Sequence, residues 1–197
     1  SMDTSAKIHQ GRPYGGLGIL WKKSLGENCN VVDMCDSRIM ALDIKIDDIS
    51  LLVVNIYMPC DSHENTDIFH EYLSKIDVIF ETCSTPYIYV LGDFNANLKA
   101  SEDGVVNSRF GKLLLDHCYT ENYQISDFNI LGCDSYTFVS QAHNTTSWLD
   151  HVLTSSTGSS LISDIKVCND YVTSDHLPLC IHLDIQKRSE EHTSELQ

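Results

Sequence analysis

Residues 49–95, ISLLVVNIYMPCDSHENTDIFHEYLSKIDVIFETCSTPYIYVLGDFN, contain a strand, a helix and a second strand in succession. Residues 49–57 (ISLLVVNIY) are almost wholly apolar and rich in β-branched side chains, as a buried strand requires. From residue 64 to residue 80 the period changes. Ile68, Phe69, Tyr72, Leu73, Ile76 and Phe80 recur at helical spacing and form one apolar face. Asp61 with Glu64 resembles a capping box at the start of that helix. Residues 87–91 (YIYVL) return to the buried-strand pattern and stop at Gly92-Asp93, two turn-forming residues.

The same reading extends outward. Residues 38–46 (RIMALDIKI) alternate apolar and polar, and Asp47-Asp48 joins them to the next strand as a hairpin. Residues 14–21 (YGGLGILW) read as a glycine-broken strand. A second helix is predicted over residues 108–119, with Phe110, Leu113, Leu114, His117 and Cys118 inward. Further strands are predicted near residues 135–139, 148–154, 161–167 and 177–185. Hairpins mixed with a strand-helix-strand unit point to an α/β fold of two packed sheets with helices outside.

The chain has 197 residues, enough for one domain with a real core. Its 42% apolar and 21% charged content suit a globular protein, and no apolar run approaches the roughly 18 residues of a membrane span. There is no charged-then-apolar leader, so an intracellular place, nucleus or cytoplasm, is expected. Eight cysteines without metal-type spacing are expected to be reduced and mostly buried. The net charge of −15 argues against tight, non-specific binding to nucleic acid by this segment. The last ten residues (RSEEHTSELQ) are polar and resemble the in-frame translation of a sequencing adapter. They are expected to be a non-native or disordered tail, 188–197, after a domain spanning 3–187.

Four short motifs occur in order, each at the end of a predicted strand: Asn55-Ile56-Tyr57-Met58-Pro59, Gly92-Asp93-Phe94-Asn95-Ala96, Trp148-Leu149-Asp150-His151-Val152, and Ser174-Asp175-His176-Leu177-Pro178. Strand ends are where a sandwich gathers polar groups into one cleft. Singly, each has a plain structural explanation. Gly92, Asp93 and Asn95 are turn formers, Ser174-Asp175-His176 suits a solvated strand start, and Asp150 suits a hydrogen-bonded core carboxylate. Jointly, structure alone does not account for them.

The four motifs, in this order and spacing, resemble the endonuclease/exonuclease/phosphatase family. The form NIYMP, and Gly11-Arg12-Pro13-Tyr14-Gly15-Gly16 before an apolar strand, are most similar to its non-LTR retrotransposon endonucleases. The resemblance covers about residues 11–185. It implies a four-layer α/β/β/α sandwich and Mg²⁺-dependent (Mn²⁺ being the alternative ion) phosphodiester hydrolysis, with DNA nicked to leave a 3′-hydroxyl. It also implies roles. Asp93 orients or deprotonates the attacking water. Asn95, two residues on in an extended segment, holds water or phosphate. His176 donates to the phosphate oxygen, and Asp150 fixes the His176 tautomer. Asp175 binds the metal, and Asn55 and Tyr57 contact the substrate.

The chain departs from that pattern in two places. The family's first Asn-bearing strand and the following Glu-bearing strand have no counterpart, so the first strands and helix are expected to be missing. A sheet edge would then lie uncovered and open to self-association. Cys60 stands where the family often has Asn after the YxP motif. Two rivals remain: a phosphatase or phosphodiesterase of small esters, favoured by the acidity, and a catalytically dead remnant that only binds. Other chemistries fit poorly. His70-Glu71 begins a zincin motif, but position 74 is Ser74, and Gly15-Gly16-Leu17-Gly18 lacks the P-loop lysine.

Overall fold

The structure, a computed structural model, describes residues 16–101, 103–170 and 174–186. The tail expected over 188–197 lies outside the described residues. Ile39–Ile46 (β2) and Ile49–Tyr57 (β3) form the antiparallel hairpin expected from their patterns, closed by Asp47 in a left-handed conformation (φ 52°). Asp tolerates that backbone region because its short side chain bonds locally. Thr66–Thr82 (α1) crosses over to Tyr87–Asp93 (β4), which pairs parallel with β3. Asp150–Thr154 (β8) runs antiparallel beside β4. Cys29–Val32 (β1) and Gln124–Ile125 (β5) complete a six-stranded sheet of order β1-β2-β3-β4-β8-β5.

Alternation along the strands gives this sheet two apolar faces. Leu52, Val54 and Ile56 of β3 and Ile88 and Val90 of β4 pack against α1 and against Arg109–Glu121 (α2), where Phe69 stacks on Phe110 at 4.1 Å. Ile49, Leu51, Tyr87 and Tyr89 look the other way, onto Ile162–Val167 (β9) and Leu179–Leu183 (β10), an antiparallel pair. The result is a mixed α/β sandwich of helices, sheet and sheet. Both long helices lie on one side, so three of the expected four layers stand among the described residues. Two short helices, Ser126–Ile130 (α3) and Ser156–Ser160 (α4), touch both β8 and β9. A small hairpin, Phe138–Ser140 (β6) with Thr145–Ser147 (β7), projects beside them.

Several expectations need correction. Residues 16–21 form no strand, and residues 14–15 lie outside the described residues. Leu20 is 98% exposed, and the stretch lies along a cleft rather than in a sheet, with its Gly18 carbonyl accepting from the Asn55 amide. The strand β1 and the 3₁₀ turn Lys23–Asn28 stand further along instead. Asp61 caps the wrong helix for the expected box: its carboxylate accepts from Ser108 Oγ (2.8 Å) and Phe110 N (3.2 Å) at the start of α2. Helix α1 begins beyond it, at Thr66, where Asn65 is the N-cap without a side-chain cap bond. On α1, Ile68 is exposed and Ile79 is buried in the face it was expected to share. All eight cysteines are free, but only Cys118 is buried, and Cys35, Cys60 and Cys133 are exposed. Those three lie in loops, where no strand or helix face draws them inward. Among the described residues no helix is long and apolar enough to cross a membrane.

Candidate active site

Strand register builds the site. Tyr57 of β3 lies beside Asp93 of β4, and Asp93 lies beside Asp150 of β8. Neighbours in register share a face, and Asn55 is two residues from Tyr57, so all four point toward the second sheet. They line an open cleft of about 310 Å³ with Gly16, Leu17 and Gly92. Gly92 is required there: at φ 142° it brings β3 so close that a Cβ would sit 2.1 Å from the Ile56 carbonyl oxygen.

His176 arrives from the turn before β10, held by a single bridge to Phe138, whose ring meets its own edge-on at 5.0 Å. Its Nδ1 lies 2.8 Å from Asp150 Oδ2, and its Nε2 lies 4.0 Å from Asp93 Oδ2. One imidazole therefore spans two carboxylates from adjacent strands. The hydrogen bond that His176 donates to Asp150 raises its pKa above the ordinary histidine value; burial opposes this, and the charges of Asp150, Asp93 and Asp175 add to the rise. Asp93 is pushed up to about 6, chiefly by burial and then by the Asp150 charge. Both groups are thus raised above their ordinary values, which favours a protonated His176 beside a carboxylate that titrates near 6.

Asn95 is close to Asp93 but not by the expected route. Its backbone is left-handed (φ 50°) rather than extended, because the chain turns sharply out of β4. Its N–H donates to Asp93 Oδ1 (2.9 Å), and its amide donates to the Met58 carbonyl (3.0 Å) and to Asp93 Oδ2 (3.3 Å). It holds Asp93 in place from the loop side. The Asn55 amide donates to the Gly18 carbonyl at 3.3 Å. Tyr57 carries the Arg38 guanidinium 5.1 Å from its ring centroid, and Arg38 Nη1 donates to its carbonyl at 3.1 Å.

Asp175 is not drawn into this group. It is exposed, and Ser174 Oγ donates to it at 3.5 Å, the edge of hydrogen-bond distance. Among the described residues no three His, Cys, Asp or Glu side chains converge where a metal ion could sit. Asp175 sits in the turn before β10, next to His176 in sequence, while Asp93 and Asp150 sit on the other sheet.

Three features escaped the sequence reading. The Thr137 hydroxyl, fully buried, accepts from the N–H groups of Leu149 and Asp150 (3.0 Å each) and so fixes the start of β8. In sequence Thr137 is one more β-branched strand residue, with nothing to mark it. Arg38, next to Tyr57, reads as a hairpin-strand residue. Asp127 and His151 form a second pair, fully buried, whose only trace was a histidine inside an apolar strand.

Comparison with known proteins bears on the family and the fold. A family model described as endonuclease-reverse transcriptase matches residues 51–180. No curated protein matches. Among solved structures, the endonuclease domain of TRAS1, a telomere-specific non-LTR retrotransposon, is 19% identical with a TM-score of 0.65, over 80% of this chain and 70% of that one. An AP endonuclease from Archaeoglobus fulgidus is 16% identical (TM-score 0.54), over 74% of this chain and 65% of that one. The Xenopus laevis APE2 catalytic domain is 15% identical (TM-score 0.57), over 76% and 56%. At these identities the likeness is one of fold. The match to the family model covers well over half of the sequence, and the chain belongs to the endonuclease-reverse transcriptase family of endonuclease/exonuclease/phosphatase domains.

Proposed function

We propose that this chain is a phosphodiester-cleaving endonuclease domain of retrotransposon type, which nicks DNA with the help of Mg²⁺ and leaves a 3′-hydroxyl. One observation supports it above the others: His176 lies between Asp150 at 2.8 Å and Asp93 at 4.0 Å, beside the cleft that those two carboxylates line. In this reading Asp93 takes a proton from the attacking water as the water oxygen bonds to phosphorus. The P–O3′ bond breaks, and the 3′ oxygen takes a proton from solvent as it leaves, giving the 3′-hydroxyl. His176 in its protonated form donates to a phosphate oxygen as negative charge builds there, and Asp150 holds the ring in the donating tautomer. Asn95 fixes Asp93, while Asn55 and Tyr57 contact the substrate. The ion's involvement, and the role of Asp175 in holding it, rest on family membership.

The net charge of −15 predicts weak, salt-sensitive DNA binding by this domain alone. The same acidity favours a second reading, a small phosphate ester as substrate. Eight free cysteines, three of them exposed, support a reducing intracellular compartment. The test is to assay supercoiled plasmid and a small aryl phosphodiester side by side with Mg²⁺. Conversion of plasmid to the nicked form, with ends extendable by a polymerase, supports the first reading. Turnover of the small ester without nicking supports the second.

A further inference from the structure

His151 follows Asp150 in β8, so alternation turns it to the opposite face of the sheet, away from the cleft. It is fully buried there, as is Asp127 of α3. His151 Nδ1 lies 2.8 Å from Asp127 Oδ2, and His151 Nε2 lies 2.8 Å from the Ala96 carbonyl oxygen. The other carboxylate oxygen of Asp127 accepts from the Val152 N–H at 2.8 Å. A carbonyl only accepts, so Nε2 carries a proton and donates it to Ala96. Burial works against the imidazolium, but Asp127 outweighs it, and the His151 pKa is raised. Every polar atom of the pair is satisfied without water.

The target of that bond is what matters. Ala96 lies in the loop that follows Asp93 at the end of β4 and carries Asn95. After Asp93 this loop leaves the ladder through left-handed Asn95 and is tied to the residues just before β8 by Phe94 N to Leu149 O (2.9 Å), Trp148 N to Asn97 Oδ1 (2.9 Å) and Leu98 N to Trp148 O (3.1 Å). The bond from His151 is made from β8 itself, and its acceptor, Ala96, lies between Phe94 and Leu98. We infer that His151 and Asp127 are positioning residues, which fix the Ala96 carbonyl and so hold the loop of Asn95, the residue that grips the Asp93 carboxylate, against the strand that carries Asp150. The inference rests on the nuclease reading for its effect on rate, but the tie itself stands on geometry.

The wild type and the variants His151→Phe, Asp127→Ala and Asp127→Asn separate positioning from mere packing. Asparagine keeps the acceptor for Val152 and can donate to Nδ1 of a neutral His151, which leaves the Ala96 bond intact. In variants shown by melting curves to be folded at the assay temperature, His151→Phe and Asp127→Ala should lower kcat about 100-fold with KM nearly unchanged, because a misplacement of order 1 Å costs that much. Asp127→Asn should restore most of the rate. Folded His151→Phe with wild-type kcat, or equal losses in Asp127→Asn and Asp127→Ala, would overturn the inference. Amide exchange at Phe94 and Leu98 gives a readout independent of activity. It should quicken selectively in His151→Phe, and unchanged protection there overturns the tie even if the wild type cleaves no DNA. Should His151→Phe and Asp127→Ala both fail to fold, a scalar coupling across the hydrogen bond from His151 Nε2 to the Ala96 carbonyl is sought in the wild type. Its presence supports the tie and its absence overturns it.

Discussion

Consecutive residues of one strand, Asp150 and His151, belong to two Asp–His pairs with the same 2.8 Å contact and opposite surroundings. In the pair of Asp150 with His176, the side chains are 20% and 32% exposed; in the pair of Asp127 with His151, both are 0% exposed. A one-residue step along a β-strand changes the face, and that step decides which pair can meet a substrate. The open pair can take up and release protons with solvent and a ligand. The sealed pair can only hold its neighbours. Chemistry alone does not assign a role to an Asp–His contact; burial and the third atom it touches do. For His176 that atom is the Asp93 carboxylate, and for His151 it is a loop carbonyl.

If this contrast is right, mutations should divide cleanly between rate and stability. The largest effect is expected for Asp150→Asn, which keeps the shape but not the charge that orients His176. Nicking should fall by about 10³–10⁴, by analogy with the loss of an orienting carboxylate from a catalytic triad, with little change in melting temperature. A loss of less than tenfold would mean the open pair is not the reacting one.

The sealed pair should respond the other way on stability. Asp127→Ala leaves the buried His151 ring and the Val152 N–H without their partner and is expected to cost about 3–5 kcal/mol in denaturant unfolding. Asp150→Ala, in a partly exposed pair, should cost about 1 kcal/mol or less. Equal costs would erase the distinction between the pairs.

The pH profile sharpens the open pair further. If Asp93 acts ionised, the rate should rise through about pH 6, where its raised pKa lies. If His176 acts protonated, the rate should fall above its own raised pKa, on the alkaline side of the ordinary histidine value. Asp150→Asn removes the largest cause of that rise, so in its residual activity the falling limb should move to lower pH. A falling limb that does not move would assign it to another group.

The smallest effect carries an unusual sign. The folded-state pKa of Asp93 is raised above its unfolded value near 4, so the folded state holds that proton more tightly. Stability contributed by Asp93 is therefore full below pH 4 and is lost as pH rises through about 6. Asp93→Asn should remove this cost and stabilise the protein by about 1–3 kcal/mol at neutral pH while abolishing nicking. Thermal melts across that range would show it, and a destabilised Asp93→Asn would mean its ionised form is held by more than Asn95 and His176.

Much of the architecture was legible in the sequence, for a stated reason. β3 and β4 are buried on both faces and read as continuous apolar runs, and α1 and α2 carry a clear apolar stripe. The polar residues at the strand ends were legible too, because Asn55, Tyr57, Asp93 and Asp150 interrupt otherwise apolar patterns. Three-dimensional ties were not. Asp61 reads as a cap for the helix beside it in sequence and instead caps one some fifty residues on. Thr137 and Asp127 act through single hydrogen bonds to distant backbone, which leave no periodicity. Left-handed Asn95 was misread as extended, since Asn tolerates either conformation. The short edge strand β1, four residues with only Cys29 partly covered, gave no pattern at all.

The most direct measurement is the nicking rate of supercoiled plasmid by the wild type and by His176→Ala at equal concentration, with Mg²⁺, under conditions where both melt well above the assay temperature. The account predicts that the wild type nicks and leaves extendable 3′-hydroxyl ends, and that His176→Ala loses about 10³-fold or more of the rate. A variant lacking His176 that nicks as fast as the wild type would contradict it, because no other described group bridges Asp93 and Asp150.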